Sequence, residues 1–554
     1  MSMLGTGVVL AALILPGAVV ESRAVPAVVH DLLGGHDWSH FAGARVQAAG
    51  VVVTPLDRRI VNQDGSGGQA NPPVNLRGPR LIAPGDFRVT AVMDGVGSKG
   101  SYLQLYAAVP VIYDEWRQEP ASLRLGVIGG KLRASLWDGT SDRPRTTATF
   151  GSGLSGRATV EVRSLGYTFC LFVNGKKVGT IADPGIFGGT IWFGADAEVG
   201  GGWTLAALTA QATSGDPLSV VDAPALDQPP LADSLRGRAS ALARSIEMGT
   251  AVAAGPLFAD AAYRALAGGQ FSMLTPENDF KPQFVQPRRG VFAFEEGDSL
   301  VEFAQANDMD VHAHTLVWHE ALPAWMRADA TRQTMYDHID AVAGHFRGRV
   351  AEWDVVNEPM SDNAADYTNG NKGLRSDSPW FRSMGEQYID LAFRRAHQVD
   401  PGAALFINEY GVEQEGERWE ALYSLVKRLK QRGVPIQGVG FQNHEYDPAD
   451  RIPAETFRSH VRKLAALGIG VRVSEMDVLV DASERQIQAA EFAGKLKVCR
   501  EEPNCSSFSS WGFTDKYGST AGIKRYPPTS GDALPWDAAM KSKSAYQSML
   551  SVLR

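Results

Sequence analysis

The 554-residue chain has few cysteines, no strong excess of one charge and no long hydrophobic run. Three cysteines are too few for a disulfide scaffold, and no Cys/His cluster has zinc-ligand spacing. Lys and Arg number 54 against 62 Asp and Glu, a formal net charge of −8 without a basic run, so nucleic acid is not an expected partner. The 44% hydrophobic and 21% charged residues are typical of a globular protein and exclude a disordered chain.

The N-terminus resembles an export signal. Residues 1–20 carry no charged side chain and include the apolar stretch VVLAALIL, and Ser22-Arg23-Ala24 supplies a small-x-small cleavage pattern. We therefore predict a signal peptide over 1–24 and a secreted or periplasmic protein. Because no Lys or Arg precedes the apolar stretch, a buried or disordered terminus is the alternative. The stretch is too short to span a bilayer, so no membrane span is expected.

The hydrophobic pattern divides the chain into two domains. Between about 45 and 212 it has period two with Gly-rich turns, and Asn174-Gly175 is a strong hairpin signal. This pattern predicts an all-β sandwich over 25–212. Residues 213–232 contain four prolines and little periodicity, which predicts a linker.

From 233 onwards, apolar strand candidates alternate with helical segments. Eight β/α units in about 320 residues predict a (β/α)8 TIM barrel over 233–554. The predicted strands are 246–252, 271–276, 310–318, 351–358, 404–410, 438–443, 471–478 and 507–514. Polar residues gather at the C-terminal end of each, where a barrel builds its active site.

Two glutamates stand at predicted strand ends. Glu358 closes AEWDVVNE and Glu475 lies in VRVSEMD. A carboxyl pair across one cleft is what glycosidic cleavage needs, since one group protonates the leaving oxygen and the other attacks or activates water. A single glutamate at such a place is more often part of a surface salt bridge, so the surrounding motifs carry the argument.

Those motifs resemble glycoside hydrolase family 10, the retaining endo-β-1,4-xylanases on a TIM barrel. FSMLTPENDFKP, HAHTLVWHEALPAW, WDVVNEP, GVGFQNHE, VSEMDV and SSWGFTDKY occur in the family's order from about 235 to 550. The resemblance implies that Glu358 is the acid/base and Glu475 the nucleophile. It also implies that His444 contacts the nucleophile, that Asp477 holds this histidine, and that Asn357 grips the sugar 2-hydroxyl.

The same resemblance implies a set of sugar-binding residues. These are Glu277, Asn278, Lys281, His314, Trp318, Tyr410, Gln442 and Trp511. An aromatic ring is suited to the task because it packs against the apolar C–H face of a pyranose. Core packing is the alternative for either tryptophan.

Cys499 and Cys505 are six residues apart. The spacing alone allows either a disulfide in an oxidising compartment or two free buried thiols. The resemblance implies the disulfide, since family members carry one just before the eighth strand. Cys170 lies in the apolar run YTFCLFV and is most simply a small hydrophobic residue of a strand.

Three positions depart from the family pattern on the sugar-binding side. Ala321 replaces a glutamine, Ser519 a tryptophan, and Pro282 stands where a tryptophan commonly follows the lysine. Ala321 and Ser519 predict more space for hexose units or backbone decorations than is usual in the family.

The sequence therefore predicts a retaining endo-β-1,4-glycanase of xylanase type that acts on xylan or a related polysaccharide. We expect it to be monomeric and to need no cofactor or metal. The alternatives are a hydrolase or transglycosylase of a hexose-containing exopolysaccharide, and a non-catalytic carbohydrate-binding protein. The N-terminal sandwich resembles concanavalin-like and laminin-G-like domains, which predicts carbohydrate binding or a structural spacer.

Overall fold

The structure is a computed structural model. It describes residues 28–56, 73–109, 112–113, 116–117, 120–139, 143–151, 153–183, 185–187, 189–213, 217–229, 231, 233–518 and 532–554. The predicted signal peptide and Ser519 lie outside these residues. Among the described residues, no helix is both long enough and apolar enough to cross a membrane.

The N-terminal region is a sandwich of two antiparallel sheets. Its strands are β1 (His30–Asp31), β2 (Ala44–Gln47), β3 (Gly50–Val53), β4 (Arg80–Ile82), β5 (Phe87–Val96), β6 (Ser101–Tyr106), β7 (Ile112–Tyr113), β8 (Trp116–Arg117), β9 (Ser122–Ile128), β10 (Lys131–Trp137), β11 (Thr146–Phe150), β12 (Gly156–Ser164), β13 (Thr168–Val173), β14 (Lys176–Ala182), β15 (Thr190–Ala197), β16 (Trp203–Ala212) and β17 (Ser219–Val221). One sheet has the order β14-β13-β12-β5-β16-β3-β2, with β1 also on β16, and the other has β11-β10-β9-β6-β15-β4-β17. The predicted all-β fold of this region is confirmed.

Period-two alternation forms the sandwich core. Phe87, Val89, Ala91 and Met93 of β5 face inward and are at most 2% exposed. The predicted hairpin turn is present, since Asn174-Gly175 joins β13 to β14 with positive φ at both residues. Positive φ at two successive residues is what a two-residue hairpin turn of the Asn-Gly type requires.

The C-terminal region is a closed parallel barrel. Its strands are β18 (Glu247–Val252), β19 (Met273–Pro276), β20 (Asp310–Ala313), β21 (Glu352–Asn357), β22 (Ala404–Glu409), β23 (Gly438–Phe441), β24 (His444–Glu445), β25 (Gly470–Val478) and β26 (Cys505–Ser510). Eight of them form the barrel in chain order, β26 closing it on β18, while the short β24 pairs with β25. The predicted TIM barrel is confirmed.

Helices surround the barrel. They are α1 (Leu235–Ser240), α2 (Ala254–Ala259), α3 (Ala261–Gln270), α4 (Pro282–Val285), α5 (Glu295–Ala306), α6 (Ala324–Ala328), α7 (Arg332–Phe346), α8 (Ala365–Thr368), α9 (Pro379–Met384), α10 (Gln387–Val399), α11 (Glu417–Gln431), α12 (Ala454–Ala465), α13 (Arg485–Glu501) and α14 (Ser544–Val552). In α11 the buried residues recur at helical spacing, so one apolar side of the helix is covered. They are Leu422, Leu425, Val426 and Leu429.

The sandwich packs directly against the barrel. Tyr106 and Trp192, which are cross-strand partners on β6 and β15, belong to the same hydrophobic cluster as Phe258 of α2. Arg77 Nη1 lies 2.7 Å from Glu302 Oε2 on α5. The domains thus share buried apolar surface as well as an ion pair.

The segment predicted as a linker, 213–232, makes contacts with both domains. Its strand β17 pairs with β4 of the sandwich, and Leu218 is 5% exposed. Further along, the Gln228 backbone N–H donates to Asn307 Oδ1 at the end of α5. Part of this segment therefore completes a sheet of the sandwich.

Candidate active site

Two strand ends bring Glu358 and Glu475 to one cleft. Glu358 follows β21 directly with φ of 53°, and its backbone N–H donates to the carbonyl of Asn408 on β22. Glu475 lies on β25 and is 4% exposed. The Asn408 side-chain Nδ2 donates both to Glu475 Oε1 (2.6 Å) and to Asn357 Oδ1 (2.9 Å), so β22 ties the two carboxylate-bearing strands together.

Glu358 is held by two neutral donors. Trp318 Nε1 donates to its Oε2 (2.7 Å) and Gln442 Nε2 donates to its Oε1 (2.9 Å). Burial raises the pKa of Glu358, and the negative charges of Glu320 and Glu475 add to that effect. A raised pKa keeps a carboxyl protonated near neutral pH, as a general acid requires.

Glu475 is held by charged and polar donors. His444 Nε2 donates to its Oε2 (3.1 Å), while His444 Nδ1 lies 2.8 Å from Asp477 Oδ1. Burial on its own would raise the pKa of Glu475, but the hydrogen bond from His444 and the neighbouring His314 and His444 rings leave it lowered. Although burial opposes it, the Asp477 carboxylate raises the pKa of His444 well above its ordinary value. The two glutamates are therefore shifted in opposite directions.

Several predicted sugar-side residues gather around this pair. The His314 ring centroid is 5.4 Å from that of Trp511 and 6.1 Å from that of Trp318. Lys281 Nζ lies 5.4 Å from the Trp318 ring and 5.5 Å from the Trp511 ring, and it donates to Asn278 Oδ1 (3.0 Å). These side chains line one side of the cleft with aromatic faces and a buried cation.

Glu277 and Asn278 follow β19 and are 5% and 4% exposed. Asn357 is 2% exposed, and its Nδ2 has no hydrogen-bond partner among the described residues. A buried donor without a partner costs free energy unless a ligand accepts from it. This state of Asn357 agrees with the predicted grip on a sugar hydroxyl.

Tyr410 belongs to a neighbouring polar cluster. Its hydroxyl donates to Asp362 and accepts from Arg375 Nη2 (2.9 Å), and the Arg418 guanidinium lies 3.9 Å from its ring centroid. Arg375 Nε also donates to the Glu358 carbonyl (3.3 Å). This cluster connects Tyr410 to the backbone of the predicted acid/base.

Two of the three departures from the family pattern can be described. Ala321 has φ of 45°, and its carbonyl accepts from the Gln283 backbone N–H (2.7 Å). Pro282 is the first residue of α4 and is buried, a helix position that suits proline because the N–H is not needed there.

Sequence reasoning missed three residues that support the pair. Asn408 links Glu475 to Asn357, Tyr446 donates from its hydroxyl to Asp477 Oδ2 (3.1 Å), and Asp354 accepts from His314 Nδ1 (2.9 Å). Asn408 and Tyr446 lie at or next to strand ends, which is the signal that could have identified them, whereas Asp354 lies within β21.

The Sγ atoms of Cys499 and Cys505 are 2.04 Å apart, bonding distance for a disulfide, while Cys170 is a buried free thiol. No group of three or more His, Cys, Asp or Glu within the described part of the chain is arranged to hold a metal ion.

Comparisons with known proteins agree with this geometry. Endo-1,4-beta-xylanase B of Thermotoga neapolitana is 36% identical over 296 residues, 51% of this chain and 81% of that protein. Beta-1,4-xylanase of Dictyoglomus thermophilum is 37% identical over 273 residues, 46% of this chain and 74% of that protein. The crystal structure of xylanase 10B from Thermotoga maritima superposes with a TM-score of 0.53 at 34% identity, covering 58% of this chain and 98% of that one. Residues 237–552 match the glycosyl hydrolase family 10 pattern, more than half of the chain, and the chain therefore belongs to glycosyl hydrolase family 10.

Proposed function

We propose that this protein is a retaining endo-1,4-β-xylanase in which Glu358 is the acid/base and Glu475 the nucleophile. The observation that carries the proposal is the placement of two buried carboxyl groups at the C-terminal ends of barrel strands, where Glu358 accepts from Trp318 and Gln442 and Glu475 accepts from His444 and Asn408. The pKa directions agree with it, raised for Glu358 and lowered for Glu475. Environments that push the pKa values of two acids apart assign one as proton donor and the other as nucleophile.

The reaction has two steps. In the first, ionised Glu475 forms a bond to the anomeric carbon while protonated Glu358 gives its proton to the departing glycosidic oxygen. In the second, the now ionised Glu358 takes a proton from water, whose oxygen attacks the anomeric carbon and releases Glu475. Two inversions give net retention of configuration.

The surrounding residues support each step. His444 and Asn408 donate to Glu475 and stabilise its ionised form. The unpartnered Nδ2 of Asn357 is available to a sugar 2-hydroxyl, whose hydrogen bond strengthens in the transition state. Trp318, Trp511 and His314 offer ring faces to the sugar on the glycone side.

We propose xylan as the polymer because the relatives described above are named as xylanases. A hexose polysaccharide, the alternative predicted from Ala321 and Ser519, is not favoured by these relatives. We further propose that the enzyme acts outside the cytoplasm, since a polymer cannot enter the cell intact and the Cys499–Cys505 pair suits an oxidising compartment.

The proposed domain division is a sandwich at 25–212, a connecting segment at 213–232 and a catalytic barrel at 233–554. Carbohydrate binding by the sandwich and a monomeric state remain predictions.

The test compares polymers and follows the anomer. Purified protein is incubated with xylan, mixed-linkage glucan and a bacterial exopolysaccharide, reducing ends are counted, and the first-formed anomer is identified by NMR. We expect the highest kcat/KM on xylan and a β-anomer as first product. Highest activity on another polymer would refute the substrate, and an α-anomer would refute the retaining mechanism.

Replacing the acid/base tests its assignment. Glu358→Ala should lower turnover on xylan by about 10²–10⁴-fold, because the leaving sugar needs protonation. An aryl xylobioside with an activated leaving group should lose much less in the first step. Equal losses on both substrates would contradict the acid role of Glu358.

A further inference from the structure

A fully buried arginine lies in the barrel interior beneath the cleft. Arg472 stands on β25, three residues before Glu475, and is 0% exposed. Its two terminal nitrogens donate to Glu352 and Asp354, which lie two residues apart on β21 and therefore face the same way. Burying an unpaired cation is strongly unfavourable, so a fully buried arginine with two carboxylate partners needs a structural reason.

A glycine beside Arg472 leaves space for its side chain and for that of Asn408, which donates a hydrogen bond to Glu475. Gly440 on β23 is the cross-strand neighbour of Arg472. A Cβ at Gly440 would lie 2.3 Å from Asn408 Oδ1 and 3.3 Å from Arg472 Nε. Any larger residue would displace Asn408, which donates to Glu475.

Asp354 connects Arg472 to the cleft through hydrogen bonds. Its Oδ2 accepts from His314 Nδ1 (2.9 Å) and lies 2.7 Å from His312 Nε2. His314 Nδ1 is also 3.9 Å from Glu475 Oε1. Burial by itself would raise the pKa of Asp354, but Arg472 and the histidines lower it far below its ordinary value. An ionised Asp354 fixes the proton of His314 on Nδ1 and the orientation of its ring.

We propose that Arg472 is a positioning residue that acts through Asp354 to hold His314 in one tautomer and one orientation beside the nucleophile Glu475. This inference rests on the proposed function, because it assigns Glu475 as the nucleophile. Arg472 itself touches neither the sugar nor the reacting atoms.

The electrostatic consequence concerns Glu475. The negative charge of Asp354 acts to raise the pKa of Glu475, and Arg472 offsets that charge. The other titratable groups around Glu475 are Lys281 after β19, His314 after β20, Glu358 after β21, His444 on β24, and Asp477 on β25. Of these groups, His314 is the one that the path from Arg472 through Asp354 reaches, and His312, whose Nε2 lies against both Arg472 Nη2 and Asp354 Oδ2, belongs to the same path. A shift in the titration of Glu475 therefore reports the change along this path.

The test is the acidic limb of the pH profile of kcat/KM. Activity needs ionised Glu475, so it falls as pH drops through the pKa of that group. In Arg472→Met the uncompensated Asp354 charge raises this pKa, and the limb should move to higher pH by at least about half a unit. The position of a limb does not depend on how much of the variant is folded. An unmoved limb with reduced stability would overturn the proposal.

Two further variants separate charge from geometry. Arg472→Lys keeps the charge and should keep the limb within about 0.3 unit of the parent. The double variant Arg472→Met with Asp354→Asn removes one positive and one negative charge, so its acidic limb should lie at the same pH as that of the parent. Its KM for an aryl xylobioside should still rise about tenfold, because His314 has lost its ionised acceptor. A double variant whose limb stays displaced would show that the effect does not pass through Asp354.

A matched control and a second readout complete the design. Arg458 on α12 is also buried and paired with carboxylates, Glu501 and Glu502, so Arg458→Met should lower stability without moving the limb. In ¹⁵N-histidine-labelled parent protein, NMR should find the His314 proton on Nδ1, and Arg472→Met should lose this fixed tautomer. If the parent does not hydrolyse xylan but shows the Nδ1 tautomer, the proposed function fails while the positioning role of Arg472 stands. If the parent carries the His314 proton on Nε2 instead, the positioning role is refuted.

Discussion

At the scale of single residues, the cleft separates the properties of two chemically identical side chains. Glu358 receives hydrogen bonds from the neutral groups of Trp318 and Gln442, whereas Glu475 receives one from His444, which the Asp477 carboxylate keeps protonated. The donors to Glu358 favour its carboxylate, but burial and the negative charges of Glu320 and Glu475 outweigh them and favour the neutral acid, whereas protonated His444 favours the carboxylate of Glu475. A bell-shaped pH profile follows, with Glu475 governing the acidic limb and Glu358 the basic limb.

Glu320 offers a direct test of the basic limb. Its Oε1 lies 3.3 Å from His319 Nε2, and its negative charge contributes to the raised pKa of Glu358. Activity needs protonated Glu358 and is lost as pH rises through that pKa. Glu320→Gln removes a charge that raises the pKa, so the basic limb of kcat/KM should move to lower pH.

The control is Glu417→Gln, which removes an exposed carboxylate in the first turn of α11. It should leave both limbs in place. A basic limb that stays put or moves upward in Glu320→Gln would contradict the assignment of that limb to Glu358.

Residue identities in the cleft were predictable where a motif carried them. The motif WDVVNEP identifies Asn357 and Glu358, and QNHE identifies Gln442 and His444. Asn408 was not predictable in the same way, because its role depends on the neighbouring strands β21 and β25 presenting partners at hydrogen-bond distance. Such a role is set by barrel closure and not by local sequence.

At the scale of elements, the strand pattern predicted the barrel well but not every strand end. The segment 310–318 was predicted as one strand, yet β20 ends at Ala313. Beyond it the backbone N–H groups of Leu316 and Val317 donate to carbonyls of β21. This backbone path brings His314 and Trp318 into the cleft. Hydrophobic periodicity does not show where a strand stops pairing with its neighbour, so the sequence could not predict this strand end.

The disulfide joins a helix to a strand, and its contribution to the free energy of unfolding can be measured. Cys499 is in the last turn of α13 and Cys505 begins β26. Replacing both by alanine should lower the free energy of unfolding by about 2 kcal/mol, because the closed loop is short. Denaturant unfolding of the barrel measures this.

Cys170→Ala is the matched control, since Cys170 is a buried free thiol in the sandwich. Unfolding of the barrel should be unchanged in it. A double alanine variant as stable as the parent, or three titratable thiols in the purified protein, would contradict the disulfide.

At the scale of the whole molecule, the interface between the sandwich and the barrel could not be predicted from the sequence. Tyr106 and Trp192 lie in ordinary strand patterns, and nothing local indicates that they belong to the hydrophobic cluster that contains Phe258 of the barrel. A second contact involves Arg288, whose Nη2 donates to the carbonyl of Pro55 (3.0 Å). The sandwich therefore contacts the barrel segment that follows α4, not far along the chain from the predicted sugar-binding residue Lys281.

This contact predicts how the isolated barrel behaves. Residues 233–554 should fold and hydrolyse an aryl xylobioside, because every residue of the proposed catalytic pair and its support lies within them. Without the sandwich, Phe258 loses the Arg77 side chain that lies over its ring and its cluster loses Tyr106 and Trp192, so the free energy of unfolding should fall by about 2–5 kcal/mol. Calorimetry of the barrel and of the full chain measures the difference.

An isolated barrel that unfolds at the same temperature as the barrel in the full chain would show that the interface adds no stability. An insoluble or inactive barrel would show that the catalytic unit includes the sandwich and that the proposed division at 213–232 is wrong.

The central claim is that Glu475 forms a covalent bond to the sugar. The most direct measurement uses a 2-deoxy-2-fluoro-xylobioside with an activated leaving group, because the fluorine slows release of the intermediate more than the good leaving group slows its formation. Mass spectrometry of the digested protein should find one added glycosyl group on the peptide that contains Glu475, and none in Glu475→Ala. An unlabelled protein that still turns over the parent aryl xylobioside, or a label on any other residue, would contradict the account.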